Sequence, residues 1–416
     1  MAKQILEGLK VVEFAWAAVG PQVSRELAEH GATVVKVESH RRLDLIRTGP
    51  PFKDNIPSYD RSAYFAAYNA NKLSVSVDLA RPGAAEVARR LVSWADVLVE
   101  AWAPGVMAKL GLDYESCRQI NPGIIYSSTC MLGQSGPYRN FSGVGNHINA
   151  LGGLCHATGW PDGEPNDVRT AYSDFIAPWY LVIAILGALL RRRKTGLGMY
   201  MEQAQVEALL SFMGPHILDY VVNHRLLQRR GNRDRYMCPH GVYPCRGADR
   251  WVAIAVTDEE DWDRLCQVMG NPEWARDQRF DSVIGRKEAE DDVDRLLGEW
   301  TKQFPSEQLM SMLQGAGIAA GVVQTGEDLL VDPHLKERQH FRVLDHPVIG
   351  PQSYNAPAYK LSRSPCDLSR PAPCVGEHNQ YVLGELLGFT DDEIADMVIN
   401  GIITTDADAP SLASMF

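Results

Sequence analysis

The sequence predicts an α/β protein with a Rossmann-like parallel sheet and a second, smaller α/β domain. The first observation is that short apolar runs alternate with helical segments over the first 130 residues. Helical crossovers between consecutive strands make those strands parallel within one sheet. The second observation is a change of pattern at Gly231, after which short strands and helices continue over about 232–325. A chain of 416 residues also has the length of two or three domains.

Five strands are predicted in the first part of the chain, because each run is short, apolar and rich in β-branched residues. They are Leu9–Ala15, Ala32–Glu38, Ser74–Leu79, Asp96–Ala101 and Gly123–Cys130. Gly20-Pro21 opens a predicted helix over Gln22–His30. Pro82 starts another helix, which runs to about Trp94. This alternation is typical of a Rossmann-like layer.

The remainder of the chain is predicted to hold two long helices, the smaller domain and a strand-poor tail. The predicted long helices are Asp174–Arg193 and Glu202–Arg230. In the smaller domain we expect two strands within Tyr243–Val256, helices over Asp258–Met269 and Lys287–Gln303, and a strand over Gly317–Val323. From Asp332 the chain is rich in proline, and its last periodic elements are Asn379–Leu387 and a short helix from Asp391.

The composition is that of a soluble globular protein and disfavours several functions. Apolar residues make up 45% and charged residues 22% of the chain. The net charge of −11 provides no basic excess to neutralise nucleic-acid phosphates. No run of 18 apolar residues is present, and the N-terminus lacks the pattern of a signal peptide. We therefore expect a cytoplasmic protein that binds neither nucleic acid nor a membrane.

Neither a metal site nor a redox nucleotide is predicted. The eight cysteines form no CxxC pair. Cys238, His240 and Cys245 resemble part of a zinc site, but a fourth ligand at a suitable spacing is missing. No GxGxxG sequence follows a predicted strand, and no Walker pattern occurs. We expect no permanently bound cofactor.

Asp174 precedes a long apolar helical run within TAYSDFIAPWYLVIAILGALL, and two interpretations of it are open. Aspartate is a favoured N-cap residue, and the residues alone favour that interpretation. A helix N-terminus also stabilises a carboxylate and offers free N–H groups to a developing oxyanion. The same position therefore suits a nucleophile.

Several segments, taken together, resemble the class III CoA-transferases, also called the formyl-CoA transferase or CaiB–BaiF family. The segments are LEGLKVVEFAWAAVGP (6–21), NKLSVSVDL (71–79), ADVLVEAWAPGVMAKLGL (95–112), NPGIIYSSTCMLGQSGPY (121–138), RRGNRDRYMCPHGVYPC (229–245), GIAAGVV (317–323), DPHLKERQHF (332–341) and GEHNQYVL (376–383). Each motif is weak alone, but their common order over about 380 residues identifies the superfamily.

The resemblance implies an architecture that composition does not reveal. Members have a large Rossmann-like domain built from both chain ends and a small domain between them, and two subunits interlock like chain links. We accordingly expect the large domain over 1–205, a helical linker over 206–231, the small domain over 232–325 and a return to the large domain over 326–416. The partner subunit is expected to be a second copy or a paralogue.

The resemblance also implies the chemistry. It places Asp174 at the family's catalytic position, where the carboxylate forms a mixed anhydride with the acyl donor and then an aspartyl-CoA thioester. CoA passes from there to a free carboxylic acid, and excluding water preserves the thioester. Succinyl-CoA is a common donor in the family, so a pair of dicarboxylates is plausible. Substituted succinates, hydroxy-dicarboxylates and carnitine-like acids all remain candidates for the acceptor.

The alignment with the family implies a CoA cleft built from several short segments. The positions expected to bind CoA are Ala17, Ala18, Arg41, Arg42, Val77, Leu79, Ala101, Trp102 and Lys109. Lys109 matches a basic position used on CoA phosphates, and Trp102 matches a large side chain beside pantetheine or adenine. The family's usual arginine after the second strand is Ser39 here, so Arg41 or Arg42 is expected to replace it.

Other departures argue against oxalate as the acceptor. Ala18 stands where oxalate-using members have glutamine, and Ser142 replaces a basic residue that contacts CoA. The glycine-rich lid of those members corresponds to Asp234-Arg235-Tyr236-Met237, which contains no glycine. We therefore expect Arg235, Tyr236 and Met237 to face a different and bulkier acceptor, with Arg235 available for a second carboxylate.

Two alternatives remain at this point. The α-methylacyl-CoA racemases share the aspartate and add a histidine about 30 residues before it, which serves as its acid–base partner. Here that spacing falls near Val144 or Gly145, so His147 is close to the expected position but offset from it by two or three residues. His156 also lies between that position and the aspartate. Alternatively, the chain is a catalytically silent subunit of a heteromeric transferase, although the retained Asp174 argues against this.

Overall fold

Eleven strands and seventeen α-helices are present in the computed structural model, which describes residues 4–409. The strands are β1 Lys10–Phe14, β2 Thr33–Glu38, β3 Leu73–Ser76, β4 Val97–Glu100, β5 Ile125–Cys130, β6 Met199–Ala204, β7 His240–Pro244, β8 Trp251–Ala255, β9 Ala319–Val322, β10 Phe341–His346 and β11 Gly350–Asn355.

The helices are α1 Val19–Glu29, α2 Ala63–Asn69, α3 Ala84–Trp94, α4 Val106–Lys109, α5 Tyr114–Ile120, α6 Gly145–Leu151, α7 Leu154–Ala157, α8 Tyr172–Thr195, α9 Gln205–Phe212, α10 Gly214–Asn223, α11 Glu259–Val268, α12 Val283–Glu288, α13 Glu290–Thr301, α14 Ser306–Gly315, α15 Gly326–Val331, α16 Pro333–Glu337 and α17 Asp391–Ile399. Short 3₁₀ turns and one π-helical segment, Tyr381–Leu386, complete the structure.

Strands β1 to β6 form a parallel sheet in the order β3-β2-β1-β4-β5-β6. Its strands read as apolar runs because both faces are covered. Val12 of β1 packs in a core with α3 and the C-terminal segments, whereas its neighbour Val11 packs in a core with α1 and α8. The alternation of side chains along each strand thus supplies both layers, and the predicted Rossmann-like α/β fold is confirmed.

The chain divides into two compact units. Within the described residues, unit 1 comprises 4–155, 167–226 and 334–409, and unit 2 comprises 156–166 and 227–333. Both chain ends therefore contribute to the unit that holds the large sheet. Unit 2 has an antiparallel sheet, in the order β7-β8-β9, and a core that it shares with α11, α13 and α14. The boundaries expected at 205, 231 and 325 stay a prediction.

Two predictions about elements were wrong. The single helix expected over Glu202–Arg230 is instead the end of β6 followed by α9 and α10. Strand β6 was missed because Met199–Ala204 (MYMEQA) contains no β-branched residue and has two adjacent polar residues, and it lies at the sheet edge. The tail expected to be strand-poor contains the antiparallel pair β10–β11.

Helix α8 is, within residues 4–409, the one helix long and apolar enough to cross a membrane by length and composition. Core helices of soluble proteins meet the same criterion. Leu181 and Ile185 of α8 are buried against β1, β4 and α1, so the helix serves as one layer of unit 1. Its opposite face carries exposed apolar side chains, among them Ile183 and Leu190.

Candidate active site

The carboxyl ends of β1 and β4 mark the point where the strand order of the sheet reverses direction. In open parallel sheets this switch point is where ligands bind. The loop after β1 carries Ala17 and Ala18, and the segment after β4 carries Ala101 and Trp102. These four predicted CoA-binding residues therefore share one edge of the sheet.

The loop after β1 is tightly packed and has an unusual backbone. Ala17 has a φ of +61°, in the left-handed region that residues with a side chain rarely adopt. A Cβ on Gly20 would lie 3.0 Å from Cβ of Ala101 and would overlap Ala15. Glycine at position 20 thus lets the segments after β1 and β4 approach each other. Ala18 is buried and Ala17 is partly exposed.

The two arginines expected to bind phosphate differ in their surroundings. The Arg41 guanidinium donates to Asp78 at 3.0 Å, to Asp408 at 2.6 Å and to the Gly401 carbonyl at 3.1 Å. The exposed Arg42 guanidinium lies 5.8 Å from the Trp16 ring centroid and has no carboxylate partner within residues 4–409. Arg42 is therefore the better placed of the two to meet a phosphate.

Val77 and Leu79 follow β3, and most of their contacts are with the core and backbone of the protein. Val77 is buried, donates its N–H to the Glu38 carbonyl at 2.7 Å and forms a bridge with Ile403. Leu79 is partly buried against the same core. Only their backbone and the side-chain edge of Leu79 are left to contact a ligand.

Trp102 belongs to an aromatic cluster at the switch point. Its ring meets Phe14 and Trp16 edge-on, at centroid distances of 6.0 and 6.1 Å. The indole N–H is buried and has no hydrogen-bond partner within the described structure. Lys109, in contrast, is exposed at the end of α4. Trp102 thus packs in the aromatic cluster and also has a hydrogen-bond donor without a partner in the described structure. Lys109 is in the environment of a solvated cation.

Asp174 lies in the first turn of α8 and does not cap the helix. Ala171 occupies the N-cap position, and no side chain caps the helix there. The Asp174 carboxylate accepts one hydrogen bond, from the Ser173 hydroxyl at 3.4 Å. Burial of the carboxyl raises its pKa to about 6, and the Ser173 hydroxyl offsets this only in part. The N-cap interpretation is therefore wrong, and within residues 4–409 the carboxylate has no hydrogen-bond partner other than Ser173.

Three residues beside Asp174 were not singled out from the sequence for a role there. Gly145, the first residue of α6, faces the carboxylate, because a Cβ at this position would lie 2.5 Å from Asp174 Oδ1. The Tyr64 and Tyr68 hydroxyls are close enough for the Asp174 charge to raise their pKa values, although burial is the larger cause for both. Their place on α2, about 100 residues before Asp174, leaves no local signal of this proximity.

The histidine of the racemase alternative has a hydrogen bond within its own helix turn. Exposed His147 accepts the Val144 N–H through Nδ1 at 3.1 Å, which ties its ring to the start of its own helix. Gly145 holds the position against Asp174. His156 belongs to unit 2, whereas Asp174 belongs to unit 1.

Glu100 is a second perturbed carboxyl at this edge of the sheet, and the sequence pattern did not single it out. Its side chain is buried and accepts hydrogen bonds from the Trp102 N–H at 2.9 Å and from the Ser128 hydroxyl. Burial raises its pKa to about 7 against the effect of these two donors. The feature of the sequence that could have indicated Glu100 is an acidic residue at the end of an apolar, buried strand.

The residues expected to form a lid are in unit 2. Arg235 and Tyr236 are exposed, and the Arg235 guanidinium lies 5.4 Å from the Tyr236 ring centroid. The Asp234 carboxylate accepts the N–H groups of Tyr236 and Met237 at 2.7 and 3.1 Å. This turn gives the segment a defined backbone in place of the flexibility that glycine would provide.

The partial zinc pattern is not assembled. Cys238 is fully buried, and its thiol donates to the Arg286 carbonyl. Within residues 4–409, no group of three or more His, Cys, Asp or Glu side chains is placed to hold a metal ion. All eight cysteines are free thiols.

Comparison with known proteins gives consistent matches. The family model described as CoA-transferase family III matches residues 6–379. The succinyl-CoA–D-citramalate CoA-transferase of Chloroflexus aurantiacus is 30% identical over 398 residues, covering 96% of this chain and 98% of that protein. The succinate–glutarate CoA-transferase of Agrobacterium fabrum is 32% identical over 389 residues, with 92% and 96% covered. A CAIB/BAIF family protein from Brucella suis has a crystal structure with a TM-score of 0.84, at 32% identity, covering 92% of this chain and 100% of that one.

Proposed function

The chain belongs to CoA-transferase family III and is a CoA-transferase, and from that premise we propose that it moves CoA from succinyl-CoA to a second dicarboxylic acid or a substituted succinate. The two relatives described above support this choice, since their names specify succinyl-CoA or succinate together with citramalate or glutarate. All of these acids carry two carboxylates. A transferase for this class needs one carboxylate to react and a cation or donor to hold the other.

The observation that carries the proposal is the state of Asp174. Its carboxylate is partly buried, caps no helix and has no cation among its neighbours in the described structure. A carboxylate paired with a cation would be a weaker nucleophile. The pKa of about 6 leaves Asp174 ionised at neutral pH and more basic than an ordinary aspartate. This is the state that covalent catalysis needs.

The proposed reaction is a series of acyl transfers through Asp174. The carboxylate attacks the thioester carbonyl of succinyl-CoA, and the C–S bond breaks to give a mixed anhydride and CoA thiolate. The thiolate attacks the aspartyl carbonyl and releases succinate, which leaves an aspartyl-CoA thioester. The acceptor carboxylate attacks this thioester and forms a second anhydride, releasing the thiolate again. Attack of the thiolate on the acceptor's carbonyl yields the product thioester and regenerates the Asp174 carboxylate.

CoA is proposed to lie across the switch point of the sheet. Ala17, Ala18, Ala101 and Trp102 line that edge, and the indole N–H, which has no partner within residues 4–409, is the proposed donor. Arg42, rather than Arg41, is the proposed phosphate ligand, because Arg41 is already paired with two aspartates. Val77, Leu79 and Lys109 stay predicted contacts, as do Arg235, Tyr236 and Met237 on the acceptor side.

The surroundings of Asp174 favour the transferase over the racemase. A racemase needs a second acid–base group across the α-carbon from the carboxylate. The residue packed against the Asp174 carboxylate is Gly145, which has no side chain that could serve as this acid–base group. Retention of an accessible nucleophile also argues against a silent subunit.

We further propose that the enzyme is a dimer of interlocked subunits, either of two copies or with a paralogue, in the cytoplasm. The exposed apolar face of α8 and α10 supports a partner subunit, since Ile183, Leu190, Leu218, Val221 and Val222 are all more than half exposed in the single chain. Eight free thiols are consistent with a reducing compartment.

The test is an intact-mass measurement after incubation with succinyl-CoA. The wild type should gain CoA on the Asp174 peptide, hydroxylamine should remove it, and Asp174→Ala should show no adduct. Asp167→Ala is the matched control: Asp167 sits seven residues earlier and is held by Asn146 and Asn149, so its loss should leave the adduct intact. Solvent deuterium entering the α-carbon of a branched acyl-CoA without any adduct would instead establish the racemase.

A further inference from the structure

Four charged side chains lie completely buried beneath the loop that follows β1. Glu13, Lys36, Asp44 and Lys72 all have zero exposed area. They come from β1, from β2, from the segment after β2 and from the turn before β3. The local sequence around each gives no sign that they meet, because they are separated by up to 59 residues.

Lys36 joins this group to the loop backbone. Its ammonium donates to Glu13 Oε1 at 2.8 Å, to Asp44 Oδ2 at 2.9 Å and to the Ala15 carbonyl at 2.8 Å. All three protons of the ammonium are therefore used. One of the three acceptors is backbone of the β1–α1 loop.

Asp44 holds the next residues of the same loop. Its Oδ1 accepts the Ala17 N–H at 2.9 Å and the Ile46 N–H at 3.2 Å, while Oδ2 faces Lys36. The second contact is an ordinary cap of the short 3₁₀ turn over 45–48. The first reaches 27 residues back along the chain and is not explained by capping.

The residue that Asp44 holds is the strained one. Ala17 has its φ at +61°, where a Cβ crowds the backbone. A non-glycine residue persists there only when its surroundings impose the conformation. The Asp44 carboxylate on the Ala17 N–H and the Lys36 ammonium on the Ala15 carbonyl are two such constraints, on either side of Trp16.

Lys72 and Glu13 hold the other end of the loop. Lys72 Nζ donates to the Pro21 carbonyl, in the first turn of α1, at 2.8 Å and to Glu13 Oε2 at 2.7 Å. Burial disfavours the Glu13 carboxylate, but Lys36 and Lys72 outweigh it and lower its pKa to about 2. Glu13 thus forms ion pairs with Lys36 at 2.8 Å and with Lys72 at 2.7 Å, and none of the three side chains has exposed area.

Stability alone does not account for such a network. A buried ion network can often be replaced by apolar residues of similar volume without loss of stability, because desolvation offsets the attraction between the charges. Apolar residues, however, could not form hydrogen bonds with the Ala15 carbonyl and the Ala17 N–H of the strained loop.

We infer that Lys36 and Asp44 are positioning residues for CoA binding, which hold the Ala15–Ala18 backbone in the left-handed turn that CoA meets at the switch point. The inference rests on the proposed function, since it assumes that this loop contacts CoA. Neither side chain touches the substrate. Their effect is transmitted through the backbone of the loop.

The experiment compares the steady-state kinetics of four variants with succinyl-CoA as the varied substrate. Asp44→Ala should raise KM for succinyl-CoA about tenfold, with a smaller change in kcat, because the loop loses its shape while Asp174 is untouched. Asp44→Asn keeps an oxygen acceptor for the Ala17 N–H and should raise KM less. Glu29→Gln is the control: Glu29 forms a buried ion pair with Arg25 at the far end of α1, so its loss should change stability without changing KM.

The decisive variant is Ala17→Gly combined with Asp44→Ala. Glycine adopts a φ of +61° without strain, so the double variant should recover most of the lost affinity for succinyl-CoA. A merely structural role for Asp44 would not be rescued at position 17. A double variant whose KM for succinyl-CoA stays as high as that of Asp44→Ala would therefore overturn the inference.

The remaining outcomes separate this inference from the proposed function. A KM for Asp44→Ala no higher than that of Glu29→Gln, in an active wild type, overturns the inference alone. Should Asp44→Ala fail to fold, Asp44→Asn with and without Ala17→Gly gives the same comparison. A wild type that neither binds CoA by calorimetry nor transfers it from succinyl-CoA overturns the proposed function and the inference with it.

Discussion

At the scale of single residues, two carboxyl groups have pKa values that burial moves towards neutrality. Asp174 reaches about 6 and Glu100 about 7. Neither has a cationic partner within the described residues. They differ in their hydrogen bonds: Glu100 is held by a backbone N–H and a hydroxyl, whereas Asp174 has one long contact to Ser173. Glu100 thus has the surroundings of a fixed structural group, and Asp174 those of an available one.

The pKa of Asp174 predicts the pH dependence of catalysis. Only the ionised carboxylate attacks a thioester, so kcat/KM should fall about tenfold per pH unit below about 6 and should level off above it. The measurement is a pH–rate profile between pH 4.5 and 8. Asp174→Asn should be inactive throughout. Activity that stays constant down to pH 5 would contradict the assignment.

Glu100 predicts a pH-dependent stability. Its folded pKa of about 7 lies above the ordinary value of 4.5, so the folded state binds the proton more tightly than the unfolded chain does. Its contribution to stability is therefore greatest below pH 4.5 and is lost as the pH rises to 7. Glu100→Gln should remove this loss and raise the free energy of unfolding at pH 8 on the order of 2 kcal/mol. Denaturant titrations of the wild type and of Glu100→Gln at pH 5 and pH 8 test this. A difference in free energy of unfolding between the two proteins that is smaller at pH 8 than at pH 5 would contradict it.

At the scale of secondary-structure elements, the start of α6 is fitted against the start of α8. Gly145 opens α6 and is buried against the Asp174 carboxylate. The lack of a side chain at Gly145 allows the two helices to approach this closely. Gly298, within α13, is buried but has room for a Cβ, which would lie 3.8 Å from Pro244 Cδ, an ordinary van der Waals distance. The two glycines are therefore a matched pair, one constrained and one not.

Gly145→Ala should reduce kcat by about 100-fold, because the added methyl group would displace the Asp174 carboxylate, the proposed nucleophile. Gly298→Ala should retain activity and gain up to about 1 kcal/mol of stability, since alanine favours the helix interior. Steady-state kinetics and thermal unfolding of both variants provide the comparison. Equal activity in the two variants would show that the approach of Gly145 to Asp174 has no catalytic consequence.

The GEHN motif at 376–379 has its own physical explanation at this scale. Strand β3 is an edge strand whose N–H groups need partners. His378 Nδ1 accepts the Ser74 N–H at 3.3 Å, and Asn379 Oδ1 accepts the Ser76 N–H at 2.8 Å. Side chains of the returning C-terminal segment therefore take the place of a further strand.

Asn379→Ala should lower the free energy of unfolding by about 1–3 kcal/mol, because the Ser76 N–H loses its acceptor in a part-buried position. Asn400→Ala is the control, since this exposed side chain only donates to the last turn of α17. Its effect should stay within about 0.5 kcal/mol. Equal losses for the two variants would show that the edge of β3 does not depend on Asn379.

At the scale of the whole molecule, a single chain leaves an apolar surface that a partner would cover. The exposed residues on α8 and α10 belong to unit 1, and Val222 is 71% exposed. An exposed patch of this kind marks a protein interface more often than a solvated surface. The proposed interlock adds a kinetic consequence, because linked subunits separate only when one of them opens.

Light scattering should therefore give twice the mass of the chain, unchanged on dilution. Tagged and untagged dimers that are mixed should exchange no subunits within a day in buffer, and should exchange freely after denaturation and refolding. Purification of the tagged protein followed by mass spectrometry measures the exchange. Rapid exchange of native dimers would contradict the interlock while leaving dimerisation intact.

Much of the fold was predictable because its signals are local. The apolar runs of β1 to β5 and the long helix α8 are each a property of adjacent residues, and the structure contains them within a few positions of the prediction. Collinear motifs identified the family for the same reason, and with it the aspartate that we propose as the nucleophile. Strand β6 was not predictable, because its half-polar pattern becomes a strand only beside β5.

By itself, the sequence determined the fold class, the family and the position proposed for the nucleophile. The tertiary structure decided what surrounds that position: Gly145 against the carboxylate, the two tyrosines near it, and Arg41 paired with Asp408 from the other end of the chain. These contacts join residues up to 367 positions apart. Hydrophobic periodicity and turn chemistry act over a few residues, whereas a site at the edge of a parallel sheet is assembled by packing.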